Sequence, residues 1–227
     1  MKKTGLLLLA VLIYAAVLPV RAAPAQWVEG TNYDMLDQAQ PTSVPAGKVE
    51  VLEVFSYACP WCDKFQPVIH ALERNLPPNA QMAYLPAAFN PSEDWPMFQR
   101  AYFTAQALGI ADRTHQAMFD SVWKTGELAV ENSSTGQLRS PLPSLEDAAQ
   151  RYSQLTGISP QTFLATAHSF GVDTRIRAAD AQIMAMQIPS TPCIVVGGKY
   201  RINMQSLHSV DDVIPLVKFL VAKASAH

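Results

Sequence analysis

Lys48-Val49-Glu50-Val51-Leu52-Glu53-Val54-Phe55-Ser56-Tyr57-Ala58-Cys59-Pro60-Trp61-Cys62 decides how this 227-residue chain is read. Val, Leu and Phe dominate its first nine positions, so residues 48–56 are predicted to form a largely buried strand. Cys59 follows directly. Pro60 then stands where a first helical turn would begin, a place that suits proline because the missing N–H has no partner to lose. Residues 60–75 continue as a helix with Pro67 inside it, and Pro77-Pro78-Asn79 stops it. A C-x-x-C pair thus falls at a strand-to-helix junction.

That placement has chemical meaning. A dithiol exchanger needs one thiol ionised near neutral pH and a second close enough to resolve a mixed disulfide. At a helix start, free N–H groups and the macrodipole favour an anion on the first sulfur. The second sulfur lies one turn in. Cys59 is the candidate attacking thiolate and Cys62 the more buried resolving thiol. Two other readings stand beside this one. Zinc sites also use C-x-x-C, but they want further ligands, and here only Cys193 and the scattered His70, His115, His168, His208 and His227 remain. A structural disulfide across two residues would close almost no chain and stabilise little. No metal and no cofactor is expected.

Working outward, residues 81–85 make a second strand, ended by Pro86, which completes a βαβ unit with a parallel pair. Upstream, residues 31–36 read as a first strand and residues 38–47 as a loop. Segments 94–109, 112–124, 144–156, 160–170 and 173–187 carry helical spacing or start signals. Among these signals are a capping-box-like Ser144 to Asp147 and the cap-plus-proline Ser159-Pro160. Trp95, Phe98, Tyr102 and Phe103 have the spacing of a helical core stripe. Residues 131–143 are polar and rich in breakers, and read as a surface loop. Strand texture returns at Cys193 to Val196, followed by the hairpin signal Gly197-Gly198 and residues 199–203. A last helix is expected over 207–222, with Val210, Val213, Ile214 and Val217 on its apolar face. The layout is βαβ, a block of helices, then ββα, an α/β chain.

Lys2 and Lys3, an apolar run from Leu6 to Leu18, and the small residues around Ala22 and Ala23 form a secretory signal pattern over residues 1–23. The other reading is a retained anchor, for which the run is short against the roughly 20 residues of a membrane span. Without Lys2, Lys3 and Arg21, the 17 basic residues become 14 against 19 acidic ones, a formal charge of −5. A mildly acidic body has no broad attraction for nucleic acid. An apolar fraction of 49% argues for a globular body. Three cysteines are too few for a stapled scaffold and suit one reactive pair plus a singleton.

Cys59-Pro60-Trp61-Cys62 after a buried strand, with Ile188-Pro189-Ser190-Thr191-Pro192 before a hairpin, resembles the thioredoxin superfamily. The helical insertion between the two halves resembles its DsbA family of periplasmic thiol oxidases. The resemblance implies a thioredoxin fold in two parts, 24–92 and 188–227, with an inserted helical domain at 93–187. It implies a redox-active Cys59–Cys62 disulfide that oxidises cysteine pairs in newly exported proteins. It also implies a periplasmic location, a monomer, and a membrane quinone-linked partner that reoxidises the dithiol. Thr191 and a cis Pro192 would flank the disulfide and accept an extended peptide. Glu53 would be a buried acid that helps move the Cys62 proton, since a carboxylate pointed into a core is costly unless used or paired; the alternative is an edge-facing charge on the strand.

Two features depart from the family. Its familiar Pro-His dipeptide is here Pro60-Trp61, and tryptophan cannot carry a positive charge beside the thiolate, so a less depressed Cys59 pKa is expected. Cys193 directly follows Pro192. Strand alternation points it into the core, while proximity to the site would allow a third reactive thiol. Met184 and Met186 are expected to fill core. A reductase or isomerase of the same fold, or a redox-dead peptide-binding or chaperone module, are the alternative activities.

Overall fold

Strand β2, Val49–Phe55, is buried from Glu50 onward, which explains its near-continuous apolar reading. The computed structural model describes residues 27–226, so the expected signal segment at 1–23 lies outside the described residues. β2 pairs in parallel with β3, Ala80–Pro86, and antiparallel with β4, Cys193–Val196. β4 continues antiparallel to β5, Tyr200–Ile202, and β5 to β1, Tyr33–Met35. The sheet order is β1-β5-β4-β2-β3. Pro86 is tolerated because β3 is an edge strand.

Helix α1, Pro60–Asn75, joins β2 to β3 and runs on through Pro67. Five helices follow between β3 and β4: α2 (Trp95–Ala107), α3 (Ala111–Trp123), α4 (Leu145–Thr156), α5 (Pro160–Ala167) and α6 (Phe170–Ala185). The chain ends with α7, Val213–Ser225. The expected order of βαβ, helices and ββα is therefore observed. Among the described residues no helix is long and apolar enough to cross a membrane.

Each sheet face has its own core. One face packs Val51, Ile194, Val196 and Ile202 against Phe65, Ile69 and Leu72 of α1 and Val213, Leu216, Val217 and Leu220 of α7. The α7 residues fall at i, i+3, i+4 and i+7, a single apolar stripe. Each such aliphatic side chain contributes about 1.5–3 kcal/mol by burial, and Leu220→Ala would cost about 2–5 kcal/mol. The opposite face packs Leu52, Val54 and Val195 against the five-helix block, including Phe98, Tyr102, Phe119 and Tyr152. Trp95, Phe98, Tyr102 and Phe103 are all buried, as their spacing predicts.

Three details differ from expectation. α7 begins at Val213 rather than 207, after a short 3-10 turn at Val210–Asp212 closed by Ser209, whose side chain accepts from the Asp211 N–H. Pro215 explains the late start. Its ring and missing N–H fit a first turn and would break a helix begun six residues earlier. Val210 is consequently 57% exposed. α6 starts at Phe170 rather than 173, because Ser169 caps it by accepting from the Val172 N–H despite Gly171 nearby. Met186 is buried as expected, but Met184 is 79% exposed, on the outer side of α6.

Candidate active site

The turn from β2 into α1 is built locally. The Ser56 hydroxyl accepts from the Ala58 N–H, and the Ser56 carbonyl accepts from the Cys59 N–H. Cys59 then takes extended backbone geometry and becomes the N-cap of α1, with Pro60 in the first turn. Its Sγ accepts from the Cys62 N–H at 3.2 Å. Both thiols are free, and Cys62 is fully buried. Cys59 is only 3% exposed, more covered than an attacking thiol was expected to be.

The pair titrates in opposite directions. The Cys59 thiol is lowered to about 7, chiefly by the Cys62 thiol; burial opposes this, while the Thr191 side chain and the N–H groups of Cys62 and Trp61 assist. Burial pushes Cys62 well up, and the neighbouring Cys59 and Glu53 push it further. One sulfur is therefore half ionised near neutral pH while the other holds its proton.

Glu53 is fully buried, which overrules the edge-facing alternative. Its cross-strand partner Ile194 belongs to the α1-side core, so its side chain points to the face beneath the cysteines. Among the described residues neither carboxylate oxygen has a hydrogen-bond partner. Burial raises its pKa well above the carboxylate range, Gln66 opposes, and Cys59 and Glu73 add to the rise. Burial thus favours the protonated form of Glu53.

The second half of the site arrives from 132 residues away. The Thr191 carbonyl stands 3.6 Å from Cys59 Sγ and accepts from the thiol. The Thr191–Pro192 bond is cis. Trp61, between the two cysteines in sequence, is 67% exposed, with Lys64 Nζ 4.6 Å from its ring centroid. The indole therefore carries a cation on one face. Cys193 is buried, and its thiol is pushed up to about 12 by that burial, with Arg201 pulling the other way. It behaves as a core residue.

The structure also reveals supports that the sequence reading missed. Trp123 of α3 donates its indole N–H to the Tyr57 carbonyl at 2.7 Å, pinning the backbone two residues before Cys59. The Tyr57 hydroxyl bonds His115 Nδ1 at 3.0 Å. Gln66 lies one turn beyond Cys62 and is buried, its amide reaching the Cys62 carbonyl. Only Gln66 had a signal, a polar residue at i+4 from a buried cysteine.

A dithiol at a strand-to-helix junction, faced by a cis-proline loop across a five-stranded mixed sheet, defines a thiol–disulfide oxidoreductase of the thioredoxin fold. Residues 50–214 match the family described as DSBA-like thioredoxin domain, and the chain belongs to that family. The thiol:disulfide interchange protein DsbA of Pseudomonas aeruginosa is 28% identical over 222 residues, covering 98% of this chain and 97% of that protein. The protein of the same name from Azotobacter vinelandii is 30% identical over 199 residues, covering 88% of this chain and 85% of that protein. Among solved structures, oxidoreductase DsbA from Xylella fastidiosa superposes with a TM-score of 0.75 at 30% identity, covering 88% of this chain and 98% of that one. Pseudomonas aeruginosa DsbA gives 0.71 at 28% identity, with 88% and 95% covered.

Proposed function

We propose that this oxidoreductase is a periplasmic oxidase that introduces disulfides into newly exported proteins. The observation that carries the reading is the N-cap thiol Cys59 faced by the Thr191 carbonyl, in a chain with five helices inserted between β3 and β4. In the disulfide form, a substrate thiolate attacks Cys59 Sγ and the Cys59–Cys62 bond breaks. Cys62 leaves and takes the proton that Glu53 holds. A second substrate thiolate then attacks the substrate sulfur of the mixed disulfide and expels Cys59, whose low pKa makes it a good leaving group. Two electrons pass from the substrate dithiol to the protein. The free backbone groups around Thr191 and Pro192 receive an extended peptide by strand-like pairing. Pro60 fixes the helix start, and Trp61 offers substrate an apolar face.

Location and partners follow from sequence and family. The basic, apolar and small-residue pattern at 1–23 supports export. A membrane quinone-linked partner would return the dithiol to the disulfide. A monomer is the form that the family resemblance implies. The division into 24–92, 93–187 and 188–227 is supported by the five helices that fall between β3 and β4. One observation favours reductase chemistry instead: the uncharged Trp61 beside the thiolate.

The deciding experiment compares the stability of the two redox forms and measures the reduction potential. An oxidase should be less stable with the Cys59–Cys62 bond than as the dithiol. The opposite order would assign it to the reductases.

A further inference from the structure

The segment that carries Thr191 is fastened at its end by β4, where Cys193 pairs with Val54. Between α6 and that point, residues 189–192 make no backbone–backbone hydrogen bond among the described residues outside the helices and strands. A cavity of about 280 Å³ lies behind them, lined by Pro189, Ser190, Pro192, Asp34 and Arg201. Packing on that side therefore does little to hold the loop. Its start is unusual as well. Gln187 adopts φ +51, a left-handed conformation disfavoured for a residue with a side chain.

Arg201 closes this gap. It lies on β5 and its Nη1 donates to the Met186 carbonyl at 3.2 Å and also to the Gln187 carbonyl. Its Nη2 donates to Asp34 Oδ2 at 3.0 Å, across the β1–β5 pair in which the two residues are direct partners. One planar guanidinium thus bonds the strained loop start and the sheet edge together, which a lysine could not do. The aliphatic stem runs beside Val195, its partner on β4.

We propose that Arg201 is a positioning residue for the peptide groove: it ties the start of the 186–192 loop to β5 and holds Thr191 at its station opposite Cys59, with Asp34 orienting the guanidinium. The proposal rests on the dithiol reading above. It predicts a selective loss. An extended peptide must pair with the loop backbone, whereas a small dithiol needs only the sulfur.

The test mixes the disulfide form with a reduced two-cysteine peptide and, separately, with dithiothreitol, following single-turnover reduction. Each reaction breaks the Cys59–Cys62 bond and closes one disulfide in the reductant. Arg201→Met should lower the peptide rate relative to the dithiothreitol rate by about tenfold, the scale of a charged hydrogen bond. The loss should appear mainly as a higher half-saturating peptide concentration. Arg201→Lys and Asp34→Asn should shift the same ratio by smaller factors. A folded Arg201→Met whose ratio stays within about twofold of wild type overturns the proposal. If Arg201→Met does not fold, an unchanged ratio in both other variants overturns it and a lowered ratio supports it. A wild-type protein inert towards the peptide would instead overturn the dithiol reading.

Discussion

The Cys62 N–H donates to Cys59 Sγ at 3.2 Å, so the amide of the deeper cysteine stabilises the anion of the N-cap cysteine. The two thiols share one helix turn, yet Cys59 is lowered to about 7 while Cys62 is raised. Position in the helix separates them: the N-cap sulfur faces free amides, and the sulfur one turn deeper faces the core. The asymmetry favours the thiolate at Cys59 and the protonated thiol at Cys62.

Trp61→His should lower the Cys59 pKa below about 7 by on the order of one unit, because a histidinium favours the thiolate where indole cannot. The sign for stability follows. The folded value of about 7 lies below the ordinary 9.0, so Cys59 stabilises the dithiol form fully above pH 9 and loses that effect as pH falls through 7. The variant extends that window to lower pH and makes the protein more oxidising. Titration of thiolate absorbance reads the pKa directly, and an unmoved midpoint would refute the electrostatic account of Trp61.

Glu53→Gln separates stability from rate. The folded pKa of Glu53 lies above its ordinary 4.5, so the unfolded chain sheds this proton first and the wild type loses stability as pH rises past 4.5. The variant lacks that loss. Its advantage in urea unfolding should grow with pH by at most about 1.4 kcal/mol per unit. Single-turnover reduction by a peptide dithiol should slow roughly 10²-fold, since glutamine cannot exchange a proton with Cys62. Unchanged kinetics would remove Glu53 from the proton path.

His115 predicts the acid behaviour of the fold. It is lowered to about 3 by burial, with His70 adding to the effect, inside a nest of Phe55, Tyr57, Tyr84, Tyr102 and Phe119. The unfolded chain binds this proton near 6.5 and the folded one only near 3. Wild-type stability therefore falls between those values, by at most about 1.4 kcal/mol per unit. His115→Phe should cost about 1–3 kcal/mol at neutral pH by orphaning the Tyr57 hydroxyl. The difference between the two proteins should shrink as pH drops from 6.5. Parallel pH profiles would contradict the buried neutral imidazole.

Cys193 should be silent. With its thiol at about 12 against about 7 for Cys59, native alkylation of the dithiol form at neutral pH should label Cys59 orders of magnitude faster. Comparable labelling would make it a third reactive thiol.

Much of this protein was legible in local sequence. The strand at 49–55, the N1 proline after Cys59, the serine caps of α4 and α5 and the Gly197-Gly198 hairpin act over one turn or one residue pair. Such signals survive without tertiary context, which is why the reactive pair and the order of elements could be read directly. The starts of α6 and α7 fall where two local signals compete, Ser169 against Gly171 and an apolar stripe against Pro215.

Sequence alone determined that Cys59 would stand at a helix start with Cys62 one turn in, because capping geometry depends only on neighbours. Only the tertiary structure decided what surrounds them. The sheet order carries Thr191 across 132 residues to Cys59, leaves both Glu53 oxygens without partners among the described residues, and brings Arg201 to the carbonyls of Met186 and Gln187. These relationships come from which strands pair and which faces are buried, and no spacing within the chain encodes them.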